Sequence, residues 1–286
     1  MENNFTTSQI LFRNAKKILT EKLTTYSPEE ISTIIYWGME YVFEITKVQI
    51  LSDIPIKITK KWELFIEKML NNYPIQYFLE EAYFYKHTFF VNENVLIPRP
   101  ETEIIIELIL KKYNNQNEKL YILDIGTGSG CLAVSLALLY PNAVVFGIDI
   151  SEEALKVAQK NANTHQVNVR FECLDMQKIK NFDCLFDIIV SNPPYICEKE
   201  KITMEKNVLN FEPHLALFVP DDNALIFYKA VMNWVNLYLR SKGSVFVEIN
   251  QNLGEEVKQL FENNSLLAIQ LHKDYFDNDR IITAVK

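Results

Sequence analysis

The chain has 286 residues, 48% of them hydrophobic, with only 7 Gly and 10 Pro. That composition excludes a fibrous or disordered protein and leaves room for roughly two globular domains. Twenty-nine basic residues against 37 acidic ones give a formal charge of -8, a poor footing for binding nucleic acid through its phosphates.

The four cysteines (Cys131, Cys173, Cys184 and Cys197) show no C-x-x-C spacing and read as small buried hydrophobes in a reducing compartment. The four histidines have no metal-ligand spacing, so no metal is expected. Met1-Glu2-Asn3-Asn4 lacks the charged-then-apolar pattern of a signal peptide, and no apolar run approaches a membrane span. A cytoplasmic monomer without membrane or nucleic-acid partners is expected.

Residues 5–70 read as helices. Ile10, Leu11, Ala15, Ile18, Leu19 and Leu23 recur at three- and four-residue spacing. Ser27-Pro28-Glu29-Glu30 is a helix start, with Ser27 as cap and Glu30 at the capping-box position. Ile31, Ile34, Ile35, Met39, Val42 and Phe43 continue an apolar face, and a last helix carries Trp62, Phe65, Ile66, Met69 and Leu70. A helical domain over residues 1–73, structural or partner-docking, is expected.

The pattern changes at Pro74. The aromatic runs 82–85 and 88–91, with Lys86-His87 between them, predict a β-hairpin within a linker of residues 74–98. In residues 99–286, Pro98-Arg99-Pro100-Glu101-Thr102-Glu103 opens a helix over 102–113. Strands are predicted at 120–125, 144–149, 169–173, 186–190 and 244–249, and helices near 131–139, 152–164 and 222–239. This alternation argues an α/β fold with a parallel sheet. After a helix over 254–261, strands 267–271 and 280–285 meet across the polar residues 274–279. A sheet ending in such a hairpin, its final strand inserted antiparallel, is what Rossmann-like methyltransferases use.

Leu123-Asp124-Ile125-Gly126-Thr127-Gly128-Ser129-Gly130 follows the first strand of that sheet and leads into a helix. Glycines there let a ligand lie against the main chain. A dinucleotide fingerprint would need Gly or Ala at the next position, which is Cys131. The spacing instead suits S-adenosylmethionine, which has no pyrophosphate to cradle. Asp149 ends the second strand, placed to accept both ribose hydroxyls. Asp175 and Met176, past the third, would take the adenine amine and ring face. Asp124 would order the glycine loop or face the cofactor's amino group.

The apolar run Ile188 to Val190 stops at Asn192-Pro193-Pro194-Tyr195. Two prolines cannot continue a ladder, so a rigid loop forms where open α/β sheets place their sites. Asn192 and the Pro193 carbonyl offer two acceptors for a planar NH2 group, with Tyr195 to pack against it. Asn192 is also a candidate for cofactor contact.

In these motifs the chain resembles the PrmC (HemK) family of glutamine N5-methyltransferases. Pro74-Ile75-Gln76-Tyr77, Phe84-Tyr85, the run from Val95 to Glu103, Leu123 to Gly130, Asn192 to Ile196 and Glu212-Pro213-x-x-Ala216-Leu217 follow the family's order. The resemblance implies methylation of the Gln in the Gly-Gly-Gln tripeptide of class 1 peptide chain release factors. Asn192, Pro193, Pro194 and Tyr195 would then bind the Gln amide, and the helical domain would help dock the factor. Arg99 and Glu101 would lie near the active-site wall, with structural anchoring as one role. The alternatives are a glutamine methyltransferase of a ribosomal protein and an adenine N6-methyltransferase on nucleic acid. Glycines usual in the family are replaced by Glu80, Lys86 and Asn250, and its glycine-bearing loop by Val219-Pro220-Asp221-Asp222-Asn223. These departures bear on hairpin and loop geometry.

Overall fold

The computed structural model describes residues 5–286; Met1 to Asn4, whose lack of a signal pattern was noted above, lie outside the described residues. The protein divides into two units, Met1–Glu81 with Glu205–Phe211, and Ala82–Met204 with Glu212–Lys286.

The first unit holds β1 (Phe5–Thr7), α1 (Ser8–Lys22), α2 (Pro28–Phe43), α3 (Lys47–Leu51), β2 (Pro55–Lys57), α4 (Lys60–Leu70) and α5 (Ile75–Leu79). Ser27 caps α2 as expected: its hydroxyl accepts from the Glu30 N–H at 3.2 Å, and Glu30 Oε2 accepts from the Ser27 N–H at 2.7 Å. Leu11, Ala15, Leu19, Ile31, Ile35, Met39, Trp62, Phe65 and Met69 form one core. Ile10 and Ile18 stay exposed, because each sits one residue, about 100° of turn, before the buried Leu11 and Leu19. The antiparallel pair β1–β2 was not foreseen; three residues each are too few to show alternation.

The second unit begins in the hairpin of β3 (Glu81–Phe84) and β4 (His87–Phe90). It continues through α6 (Glu103–Lys112), β5 (Tyr121–Ile125), α7 (Cys131–Leu139), β6 (Val144–Asp149), α8 (Glu152–Thr164), β7 (Val169–Cys173), β8 (Phe186–Ser191) and β9 (Ile196–Cys197). The chain then gives α9 (Lys206–Phe211) to the first unit before β10 (Phe218–Val219), α10 (Ile226–Tyr238), β11 (Leu239–Glu248), α11 (Gly254–Asn263), β12 (Leu267–Lys273) and β13 (Asp279–Val285).

The main sheet runs β12-β13-β11-β8-β5-β6-β7. Of its seven strands six run in one direction, and β13 lies antiparallel between β11 and β12, as the sequence led us to expect. Both faces are covered, which is why these strands read as continuous apolar runs. Alternation along β5 sends Leu123 and Ile125 to the core under α10 and α11, and Ile122 to the core under α6, α7 and α8. From β5 the chain moves outward to β6 and β7, whereas β8 and β11 lie on its other side. The crevice for a ligand therefore opens at the carboxyl ends of β5 and β8. Among the described residues, no helix is long and apolar enough to cross a membrane.

The hairpin keeps its two-residue turn without the usual glycine. Tyr85 (φ 42°) and Lys86 (φ 68°) are both left-handed, as is Glu80 (φ 56°) at the end of α5. Asn161 of α8 fastens β4: its amide exchanges two bonds with the Phe90 backbone, at 2.7 and 2.9 Å.

Candidate active site

One cavity is lined by Gly126 after β5, Asp149 at the end of β6, Asp175 and Met176 after β7, and Asn192 and Pro194 after β8. Val95, Leu96, Pro213, Leu215, Ala216 and Phe227 complete much of its wall. Gly126, Gly128 and Gly130 all have left-handed φ, at 74°, 54° and 78°. A Cβ on Gly128 would meet nothing within 4 Å, and one on Gly126 would meet only the Asn192 carbonyl oxygen at 3.9 Å. The loop backbone thus faces open space that a ligand can fill, a cradle available only without side chains.

Of the five loop residues expected to bind cofactor, Gly126 and Gly128 face this cavity. Thr127, Ser129 and Gly130 stand behind it. The Thr127 hydroxyl donates to Asp124 Oδ2 at 2.7 Å, the Ser129 carbonyl accepts from Asn161 Nδ2 at 2.8 Å, and a Cβ on Gly130 would lie 3.0 Å from that of Ala158. Asp124 is buried beneath the loop and orders it through Thr127. Burial pushes its carboxyl up to about 7, against the pull of the Thr127 bond.

Asp149 braces the same loop. Its Oδ2 accepts from the Gly128 N–H and its Oδ1 from the Ser151 N–H, both at 2.9 Å. Each carboxylate oxygen keeps a further lone pair, so two hydroxyls of a ribose can be accepted from the cavity side. Burial raises its pKa above the ordinary carboxylate value. Beyond β7, Asp175 Oδ1 accepts from the Gln177 N–H at 2.9 Å, and the Met176 carbonyl accepts from Trp234 Nε1 at 2.8 Å. These bonds fix the Asp175 carboxylate and the Met176 backbone at the cavity wall. Glycine cradle, diol acceptor and apolar slot fit S-adenosylmethionine.

Asn192 connects this cavity to a buried polar chain. Its Nδ2 donates to Thr102 Oγ1 at 3.1 Å, and that hydroxyl donates to Glu248 Oε2 at 2.5 Å. The other Glu248 oxygen accepts from the Tyr195 hydroxyl at 2.8 Å. Burial raises the Glu248 pKa, and burial followed by the neighbouring Glu248 raises Tyr195 well above its ordinary value. Pro193 is buried and Tyr195 half-buried. Asn250, where a glycine was expected, donates from Nδ2 to the Tyr195 carbonyl at 3.2 Å and from its backbone N–H to the Tyr228 hydroxyl at 3.0 Å.

A second anchor joins two segments of the wall. Arg99 pairs with Glu212 at 2.6 Å, and Glu212 Oε2 also accepts from the Ile97 N–H at 3.2 Å. The Glu212 side chain is 1% exposed, so this carboxylate depends on its partners. Through it the run from Val95 to Arg99 is held against Pro213. Arg99 thus ties these two segments together through Glu212.

Thr102, Glu212 and Glu248 were not recognised as site residues from the sequence. Thr102 and Glu212 lie in motifs quoted above for order alone. Glu248 did carry a signal, as a carboxylate directly after the apolar run Val245 to Val247 of a central strand, where an unpaired charge would be costly.

The family model for a methyltransferase domain matches residues 116–277. A release factor glutamine methyltransferase of Flavobacterium psychrophilum is 40% identical over 280 residues, covering 96% of this chain and 98% of its own. Another, of Bacteroides thetaiotaomicron, is 41% identical over 265 residues, covering 91% and 94%. Among solved structures, the 16S rRNA N2 G1207 methyltransferase of Thermus thermophilus in complex with AdoMet and guanosine superposes with a TM-score of 0.54 at 20% identity. That match covers 72% of this chain and 49% of the other, and the likeness concerns the fold alone. The resemblance read from the motifs is borne out, and the chain belongs to the release factor glutamine methyltransferase family.

Proposed function

We propose that this protein transfers the methyl group of S-adenosylmethionine to the side-chain amide nitrogen of the Gln in the Gly-Gly-Gln tripeptide of class 1 peptide chain release factors. The observation that carries this reading is Asn192, at the end of β8, on the wall of a cavity that Gly126, Gly128 and Asp149 also line. The printed names of relatives spanning nearly the whole chain support the substrate.

In this reading the Gly126 and Gly128 backbone admits the cofactor, Asp149 accepts the ribose hydroxyls, and Asp175 and Met176 take the adenine. Thr127, Ser129 and Gly130 keep the loop in shape from behind. The bound cofactor supplies a methyl group on a sulfonium, electrophilic without further activation. Asn192 Oδ1 and the Pro193 carbonyl accept the two N–H bonds of the Gln amide, which aims its nitrogen and favours the positive charge developing there. Pro194 and Tyr195 shape the slot for the planar group. The proton leaves to water after transfer.

Residues 1–73 serve to dock the factor, 74–98 link, and 99–286 carry the chemistry. Among the described residues of the first unit, the only buried polar residue is Ser8, which donates to the Ile50 carbonyl, so docking suits that unit better than catalysis. A translation factor as substrate places the protein in the cytoplasm.

Asn192→Ala removes one acceptor from the amide grip and is expected to lower turnover by about 2–4 kcal/mol in transition-state terms. Turnover with a release factor, measured beside calorimetric cofactor binding to show that the variant is folded, checks this. Wild-type turnover would contradict the reading.

A further inference from the structure

The chain of bonds behind Asn192 has a direction. Glu248 is fully buried with both oxygens engaged, one by Thr102 and one by the Tyr195 hydroxyl. An ionised carboxylate only accepts, so the Thr102 hydroxyl gives its single proton to Glu248. Thr102 Oγ1 is then an acceptor towards Asn192. The amide must turn Nδ2 inward, leaving Oδ1 as the group it offers outward.

We propose that Glu248, acting through Thr102, is a positioning residue that locks Asn192 with its oxygen toward the substrate and so makes the site select an amide over a carboxylate. This rests on the reading that Asn192 receives the substrate amide. An NH2 group meets the locked oxygen as donor to acceptor. A carboxylate in the same place meets it lone pair to lone pair. Without the lock, Asn192 can turn over about its last side-chain bond and present its own NH2 to a carboxylate.

Further features support the arrangement. The same carboxylate holds the Tyr195 hydroxyl, so one buried group fixes both ends of the Asn-Pro-Pro-Tyr run. Burial and Glu101 raise the Glu248 pKa. The Thr102 and Tyr195 bonds and the Arg280 charge oppose that rise without reversing it, so the lock holds where the pH keeps the carboxylate ionised. Tyr228, the remaining ionisable neighbour, is itself pushed up and stays a neutral phenol.

The test compares Thr102→Val, which removes the hydroxyl at nearly constant shape, with Thr102→Ser, which keeps it. Each is assayed for methyl transfer to a class 1 release factor and for inhibition by the same factor carrying Glu in place of its target Gln. Wild-type enzyme should bind the Glu factor at least about 100-fold more weakly than the Gln factor. In Thr102→Val that gap should shrink about tenfold and kcat should fall about tenfold, while the cofactor Kd stays within about twofold. Thr102→Ser should restore both gap and kcat. A structural role alone would lower kcat without moving the Gln-to-Glu gap.

An unchanged gap in folded Thr102→Val overturns the proposal. Should that variant lose cofactor binding, Thr102→Ala carries the same comparison, and an unchanged gap there overturns the proposal equally. Failure of the underlying reading is distinguishable: Asn192→Ala would then turn over like wild type, whatever Thr102 does.

Discussion

Asp124, the last residue but one of β5, lies beneath the glycine loop, out of contact with solvent. Its carboxyl titrates at about 7 in the fold and near 4 in an unfolded chain, by the ordinary value for Asp. A carboxyl raised in this way favours the folded state when protonated. Its contribution is fullest below about pH 4 and is lost as pH rises through about 7. Asp124→Asn keeps an acceptor for the Thr127 hydroxyl but cannot titrate. Between pH 5 and 8 the wild-type protein should therefore lose on the order of 2 kcal/mol relative to the variant. Urea unfolding of both at the two pH values measures this, and parallel behaviour would contradict it. At this scale the sequence was informative where a motif is local: Gly126, Gly128, Asp149, Met176 and Asn192 do share one cavity. The lock on Asn192 was not legible. Thr102 and Glu248 are 146 residues apart and meet only once the sheet is closed.

Two expected glycines are absent at positions whose backbone demands one. Glu80 and Lys86 sit at φ 56° and 68°, where a Cβ is disfavoured, and the neighbouring hairpin turn is built on Tyr85 and Lys86. The left-handed turn is held in part by Glu103 Oε1, which accepts from the Tyr85 N–H at 3.0 Å. Lys86→Gly and Glu80→Gly should each raise stability by about 0.5–1 kcal/mol, the left-handed strain relieved less the extra entropy of glycine. Thermal unfolding checks this, and a lower midpoint in both would contradict it. Elements that bury both faces or one clear stripe were legible, so α7 and α8 fall on their predicted spans. Two- and three-residue strands such as β1, β2, β9 and β10 were not, because a pattern needs more residues to repeat. The upstream part of β11 was also missed; its pairing with β8 shifts register between Leu239 and Ser244, where Lys242 and Gly243 interrupt the apolar run.

For the whole molecule, the alternation of strands and helices and the final polar hairpin turn were enough to anticipate the seven-strand sheet with its reversed end. They did not reveal that the chain returns to the helical unit for α9, whose Phe211 ring lies 5.1 Å from that of Tyr73. Six residues carry too little periodicity to show which core they join. The acidic balance of the chain accords with a protein substrate. The most direct measurement is methyl transfer from labelled S-adenosylmethionine to a purified class 1 release factor, beside the same factor with its Gly-Gly-Gln Gln replaced by Ala. Label on the first factor and none on the second is the predicted result. No label on either, from enzyme that binds the cofactor, would contradict the assignment of the release factor as substrate.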